Sequence, residues 1–467
     1  MPQIQIPLVK GQGKSSKNAD YLDLLPTNIL PVVRQVEGAN GYFRFYPGID
    51  KESDVDGISR GVHYNVNKSD VYRVMGGNLY NSTGEVGNVD GSDRVAMASS
   101  RVSQAVSVGG KLVMYRYDGT VKELSNWPKG ATPPNPHYDL SGVFDACRHR
   151  GRYIWSKEGT DTFGCTSLED ESKPDKIAPF YRAETQSDGI LAVRSYRDYV
   201  LCFGSSTIEF FRLTGDANNI FVSQSGYMVP VGIAGQFAIT EYLDSFAFIT
   251  NSSSGQHQIA VMGQGNYQVI SDYHINNLLE KYTNDQLSDV VLESFKYDQH
   301  NLLICHLPEE TIVYDASSSL WSVIKTGLYS GIHRAIDYWN EGGKITCGDK
   351  LSGFKGVLSD AKSHQYVEDQ EIILYTPLIV AERSHMHDLE ITSNSGLSSR
   401  AQKIFISVTE DGVIWGSECP LEYDNKFEWL KRSIYDWVGE VEYRIGFKLR
   451  IVGSDPATLS NLRVRVE

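Results

Sequence analysis

Short runs of β-branched and aromatic residues alternate with Gly, Asp and Asn turns along most of the chain. Residues 105–124, AVSVGGKLVMYRYDGTVKEL, show the unit. Side chains alternate along an extended chain, so Val106 and Val108 are expected on one face of a strand. Gly109-Gly110 and Asp118-Gly119 supply the positive φ angles that tight hairpins need. Three strands joined by two such turns read as an antiparallel meander. Similar turns recur at Gly76-Gly77, Gly159, Gly204, Asn251 to Gln256, Asp298 to Asn301 and Gly342-Gly343. Turns spaced by about 45–50 residues suit four-stranded propeller blades. About 330 residues at that spacing predict roughly seven blades. A pair of β-sandwiches is the competing architecture, because it also uses frequent hairpins.

Three stretches depart from this rhythm. Residues 1–50 hold apolar segments broken by Pro26 and Pro31, which discourage a helix. They are expected as an extended N-terminal arm laid over another surface. Ile275, Leu278, Leu279 and Tyr282 form one apolar stripe at helical spacing, with Ser271 or Asp272 placed to cap it. This predicts a short helical insertion at about 271–291 on the outside of a blade. The blades are expected over 51–371. Residues 372–467 return to strands, either closing the ring by pairing with an early strand or forming a separate small sandwich. The predicted class is mainly β: propeller-like, with the helical insertion and a C-terminal β region.

Composition narrows the function. The 467 residues are 41 % apolar and 11 % aromatic, enough for a folded core. Net charge is −14, which argues against a general nucleic-acid-binding surface. The six cysteines are widely spaced without a Cys-x-x-Cys pair, which favours buried reduced thiols. No apolar run approaches the ~20 residues of a membrane helix, and MPQIQIPLVKGQGK lacks the apolar core of a secretory leader. Synthesis and first assembly are therefore expected in a reducing cytoplasm.

No motif predicts a catalytic centre, cofactor or metal. Gly11 to Ser15 resembles the end of a phosphate-binding loop, but Leu8 stands where its first glycine belongs. Glu52 to Gly57 begins like a calcium loop, whose bidentate acid would fall at His63. His385 and His387 make two metal ligands where zinc needs three or four. Thr409 to Trp415 resembles the Asp-box of sialidase propellers, yet Asp411 and Gly412 adjoin, as in an ordinary hairpin turn. Cys305 and His306 adjoin in a strand and point to opposite faces. Residues 125–138, SNWPKGATPPNPHY, are stiff and Pro-rich. Trp127, Pro128, Pro133, Pro134 and Tyr138 are candidate partner-docking residues there.

Several stretches together resemble one family: KNADYLD at 17–23, GYFRFYPGI at 41–49, RYDGTVKELSNWP at 116–128 and RGRYIWSKEGTD at 150–161. The likeness continues through LEDESKPD at 168–175, CFGSSTIEF at 202–210, VYDASSS at 313–319, ITCGDK at 345–350 and IGFKLRIV at 445–452. In this order they resemble the packaged-DNA stabilization proteins of short-tailed bacteriophages, head-completion proteins that form the tail hub. The resemblance implies a structural, non-enzymatic virion protein. It implies a homohexameric ring below the portal and its adaptor ring, docking a tail needle and tailspikes. It also implies retention of packaged double-stranded DNA and its passive passage at ejection, without membrane insertion. The alternative is a propeller glycosidase or lectin acting on host surface polysaccharide.

Overall fold

The computed structural model describes residues 3–8, 24–34, 41–128, 137–186, 188–251, 256–263, 265–329, 331–429 and 431–466. The Gly11 to Ser15 sequence, the 17–23 stretch and most of the Asn251 to Gln256 turn lie outside them. Two compact units emerge: Asp54–Ser294 with Ala335–Lys355, and Met1–Ser53 with Phe295–Arg334 and Gly356–Glu467.

The first unit is organised around seven inner strands: β1 (Ser59–Asn65), β2 (Ala96–Ser99), β3 (Val143–His149), β4 (Ile190–Tyr196), β5 (Ile239–Tyr242), the start of β6 (Val291–Tyr297) and β7 (Ala335–Glu341). Each opens, or in β5 helps to open, an antiparallel sheet whose further strands follow by hairpins, except that the outermost strand of the β7 sheet is Gly48–Asp54, from before β1. The 105–124 region supplies three strands, Ser103–Val108, Lys111–Arg116 and Val121–Glu123, stacked outward from β2. Its turns are as read, with φ of 56° at Gly109, 75° at Gly110 and 86° at Gly119. The ring closes at its seam: Val55 N–H donates to the Gly353 carbonyl at 2.9 Å. Ser59 Oγ donates to Asp337 Oδ2 at 2.6 Å, joining β1 to β7.

The hydrophobic core of this unit is a series of wedges between successive blades. One joins Tyr72, Val74 and Leu79 to Val106 and Tyr115; the next joins Ala105 and Met114 to Tyr153 and Trp155. A third gathers Phe163, Val193, Phe211 and Phe221, with the Phe163 and Phe211 rings 4.8 Å apart. Val106 and Val108 face one wedge and Ala105 the next, as alternation requires, yet Ala105, Val106 and Ser107 are all buried. A blade covered on both faces selects continuous apolar runs, as in any sheet sandwiched between layers. Close approach near the axis selects small residues instead. A Cβ on Gly61 would meet the Val95 carbonyl oxygen at 3.0 Å. Farther out, on the third strand of the β3 blade, Trp155 lies across Gly164, where a Cβ would be 2.2 Å from its ring.

The helical insertion is two short helices, α1 (Tyr273–Leu279) and α2 (Asn284–Ser288). Asp272 caps α1, accepting from Ile275 N–H at 3.0 Å. Thr283 and Gln286 form a reciprocal capping box on α2. Ile275, Leu278, Leu279 and Tyr282 are all buried, as their spacing requires.

The second unit contains a β-sandwich. One sheet runs Gln3–Pro7, β14 (Asn461–Val466), β9 (Ser384–Thr392), β12 (Ser433–Val441). The facing sheet runs β8 (Gln370–Tyr375), β13 (Arg444–Gly453), β10 (Gln402–Thr409), β11 (Cys419–Asp424). Ile6, Met386, Ile404, Phe447 and Leu462 belong to its core. The chain's first strand pairs antiparallel with its last, from Gln3 with Arg465 to Pro7 with Asn461. A further sheet of this unit joins Ile29–Val32, Tyr42–Phe45 and Thr458–Leu459.

All six cysteines are free, five of them buried and Cys419 partly exposed. Burial pushes the thiols of Cys147 and Cys165 up to about 12. Only Cys419 should react with iodoacetamide in the native protein, and all six after denaturation. Mass spectrometry of the labelled chain checks this: native labelling of Cys147 or Cys165 would contradict the packing.

Candidate functional site: the axial cavity and the proline-rich loop

The inner strands of the first unit enclose a cavity of about 410 Å³. Its polar lining includes His63, Arg94, Arg148, Arg194, Glu241, Glu293 and Asp337. Arg94 stands just before β2 and reaches across the ring seam. Its Nη2 lies 2.6 Å from Asp337 Oδ1 and 3.9 Å from Glu293 Oε1. Burial alone would lower the Arg94 guanidinium, but Asp337 and Glu293 hold it above its ordinary value. Glu293 Oε1 accepts from Asp337 N–H at 2.7 Å. Burial raises the Glu293 carboxyl, with Arg94 opposing part of the rise.

Asp337 sits in the left-handed region, with φ of 60°, where the β7 pairing slips between Ile336 and Trp339. This bulge turns the carboxylate into the seam. There it meets Ser59 and Arg94, while Arg73 Nη1 donates to its carbonyl at 2.7 Å.

The other cavity arginines are also paired. Arg194 contacts Asp145, whose Oδ2 also accepts from Val193 N–H at 2.7 Å. Arg148 lies 3.3 Å from Glu171 and over the Tyr153 ring. Burial depresses His63 to about 4, so it is neutral at physiological pH, with Nε2 3.1 Å from Ser99 Oγ. All three cavity arginines are thus paired with carboxylates, and the Arg94 and Arg194 pairs tie blades together. Arg94, Glu293 and Asp337 carry no sequence signal of their own, because they meet only when the ring closes.

The loop residues singled out by sequence divide in two. Pro133 and Pro134 lie outside the described residues. Trp127 is half-buried: its indole Nε1–H donates to the Pro174 carbonyl at 2.8 Å, and Lys176 Nζ sits 4.5 Å from the ring centroid. Tyr138 packs edge-on against Phe180 at 5.5 Å. Asn126 clamps the loop base through Tyr138 N–H at 2.9 Å and its carbonyl at 2.8 Å. Pro128 is exposed.

The remaining motifs resolve locally. Glu52 and Asp54 lie on the strand Gly48–Asp54, and so outside a helix–loop–helix cage. The His385 and His387 rings are 4.7 Å apart, and among the described residues no group of three or more His, Cys, Asp or Glu could hold a metal. Asp411 Oδ1 accepts from Val413 and Ile414 N–H, each at 2.8 Å, making a rigid turn that leaves both apolar side chains exposed.

Residues 4–363 match the family profile described as "Bacteriophage P22 Gp10, beta-propeller". Residues 371–467 match "Bacteriophage P22 Gp10, beta-sandwich". The "Tail hub protein gp10" of Salmonella phage P22 is 46 % identical over 474 residues, covering 100 % of both chains. Among solved structures, the extracellular domain of a B. thetaiotaomicron hybrid two-component system aligns at 9 % identity and TM-score 0.43, over 70 % of this chain and 40 % of that one. The computationally designed Ika8 protein aligns at 12 % identity and TM-score 0.38, over 76 % and 99 %.

Proposed function

Because the chain belongs to the bacteriophage P22 Gp10 family, we propose that it serves as the structural tail hub of a short-tailed phage virion. The observation that carries this reading is the full-length identity to a tail hub protein, with propeller and sandwich profiles matched in order. The hub forms a homohexameric ring under the portal and its adaptor ring, assembled in the host cytoplasm. It closes the head on packaged DNA and holds the tail needle and tailspikes. A ring needs a heterologous interface, one patch meeting a different patch on the next copy. Blades wedged together by aromatic packing can present such patches at fixed positions.

The net charge of −14 suits a duct through which DNA slides, since a basic lining would hold phosphates. The loop from Ser125 to Tyr138 is the proposed partner-facing surface, with Pro128 at its exposed rim. The pairing of the cavity acids with Arg94 supports a non-enzymatic role.

Adding purified protein to portal–adaptor complex and imaging by electron microscopy tests the reading. A six-fold layer built only on that platform is expected. Failure to bind the platform, or polysaccharide turnover abolished by Glu293→Gln, would overturn it in favour of an enzyme.

A further inference from the structure

Gln370 and Gln402 are 1 % and 5 % exposed, at one end of the sandwich. In both, the amide nitrogen and the amide oxygen are buried without a hydrogen-bond partner among the described residues. They sit on β8 and β10, the two strands flanking β13. Gln370 is in register with Gly453 of β13. Gln402 lies two residues before Ile404, which pairs with Ile451, so it too stands opposite Gly453. Its Nε2 is 3.7 Å from where a Cβ on Gly453 would sit.

Parity fixes the face. Ile372, Leu374, Ile404, Ile406, Leu449 and Ile451 belong to the sandwich core, so Gln370, Gly453 and Gln402 form one inward row. Cβ atoms on adjacent strands stand about 5 Å apart, and the middle position of this row has none. The Gln402 amide leans over this gap in the row, and both amides end beside it with no direct partner. Apolar cavities stay dry, whereas a small space edged by unpaired donors and acceptors holds water.

We propose an internal water site over Gly453, in which one water molecule bridges the Gln370 and Gln402 amides. The water accepts from one amide N–H and donates to the other's carbonyl oxygen, tying β8 to β10 across β13. It also fixes register, because a slip of β8 or β10 by one residue would turn that strand's amide to the outer face and break the bridge.

Gly453→Ala in the full chain is the sharpest test. Gly453 is not among the glycines with positive φ, and the nearest atom to an added Cβ is at 3.7 Å. Alanine at such a position ordinarily stabilises by restricting the unfolded chain. Here it would displace the water, so the folding equilibrium constant should fall, by roughly tenfold for one lost buried hydrogen-bond pair. Gln370→Leu and Gln402→Leu should each cause a similar fall. Their double variant should lose no more than the worse single one, since either breaks the same bridge. Water oxygen-17 relaxation dispersion should show one fewer long-lived water in Gly453→Ala than in wild type. Stabilisation by Gly453→Ala, additive glutamine effects, or an unchanged count of long-lived waters would each overturn the proposal.

Discussion

Replacing Arg60 with methionine should cost the propeller unit about 3–5 kcal/mol, because several buried acceptors at about 1–3 kcal/mol each lose their donor together. Arg60 is 2 % exposed. Its Nε donates to the Asp93 carbonyl at 2.7 Å, and Nη2 to that of Asp90 at 2.9 Å. Nη1 donates to the carbonyls of Gly76 at 2.7 Å and Val89 at 3.1 Å. One guanidinium therefore staples a hairpin turn of the first blade to the link that leads into β2. Burial lowers its pKa, with Asp93 and other neighbours opposing the fall. Lysine should rescue little, since a single ammonium cannot span carbonyls spread around a planar fork. Urea unfolding followed by tryptophan fluorescence measures the loss. A change below about 1 kcal/mol would mean that the link closes without its staple.

Arg94→Met should be comparably damaging, at about 3–5 kcal/mol near neutral pH, because it removes the guanidinium that lies against both buried carboxylates, Glu293 and Asp337. The pH dependence identifies the cause. Glu293 already titrates above its ordinary value because it is buried, and loss of Arg94 removes the larger of the two opposing positive charges, Lys350 being the other. A carboxyl with a raised folded-state pKa contributes its stability below the unfolded value and loses it as pH rises through the folded one. The deficit of the variant against wild type should therefore be smallest in acid and widen as pH climbs out of the carboxylate range. A deficit independent of pH would assign the loss to the contact with Phe237, whose ring centroid lies 5.3 Å from the guanidinium carbon.

Features set by near neighbours in the chain were legible. The glycine turns, the α1 stripe and the Asp272 cap all depend on residues within a few positions of one another. The inner strand β2, with sequence AMAS, was missed because strands near an axis carry small residues of low β-propensity. Val106 and Val108 share one face as expected, but the opposite face is buried as well, because a covering blade removes the solvent side. Trp127 and Tyr138 were picked out as aromatic, yet sequence could not show that both lean on the chain between Pro174 and Phe180. Arg94 was invisible because its partner lies 243 residues away.

By itself the sequence determined that this protein is a succession of hairpins with capped helices, and its long end-to-end likeness marked the family. Only the tertiary structure decided which strands are neighbours across the seams. It set Val55 beside Gly353, Asp337 beside Arg94, and the first strand of the chain against the last. The reason is physical: period-two patterning states which face a residue presents, whereas long-range pairing is settled by how all the wedges pack at once.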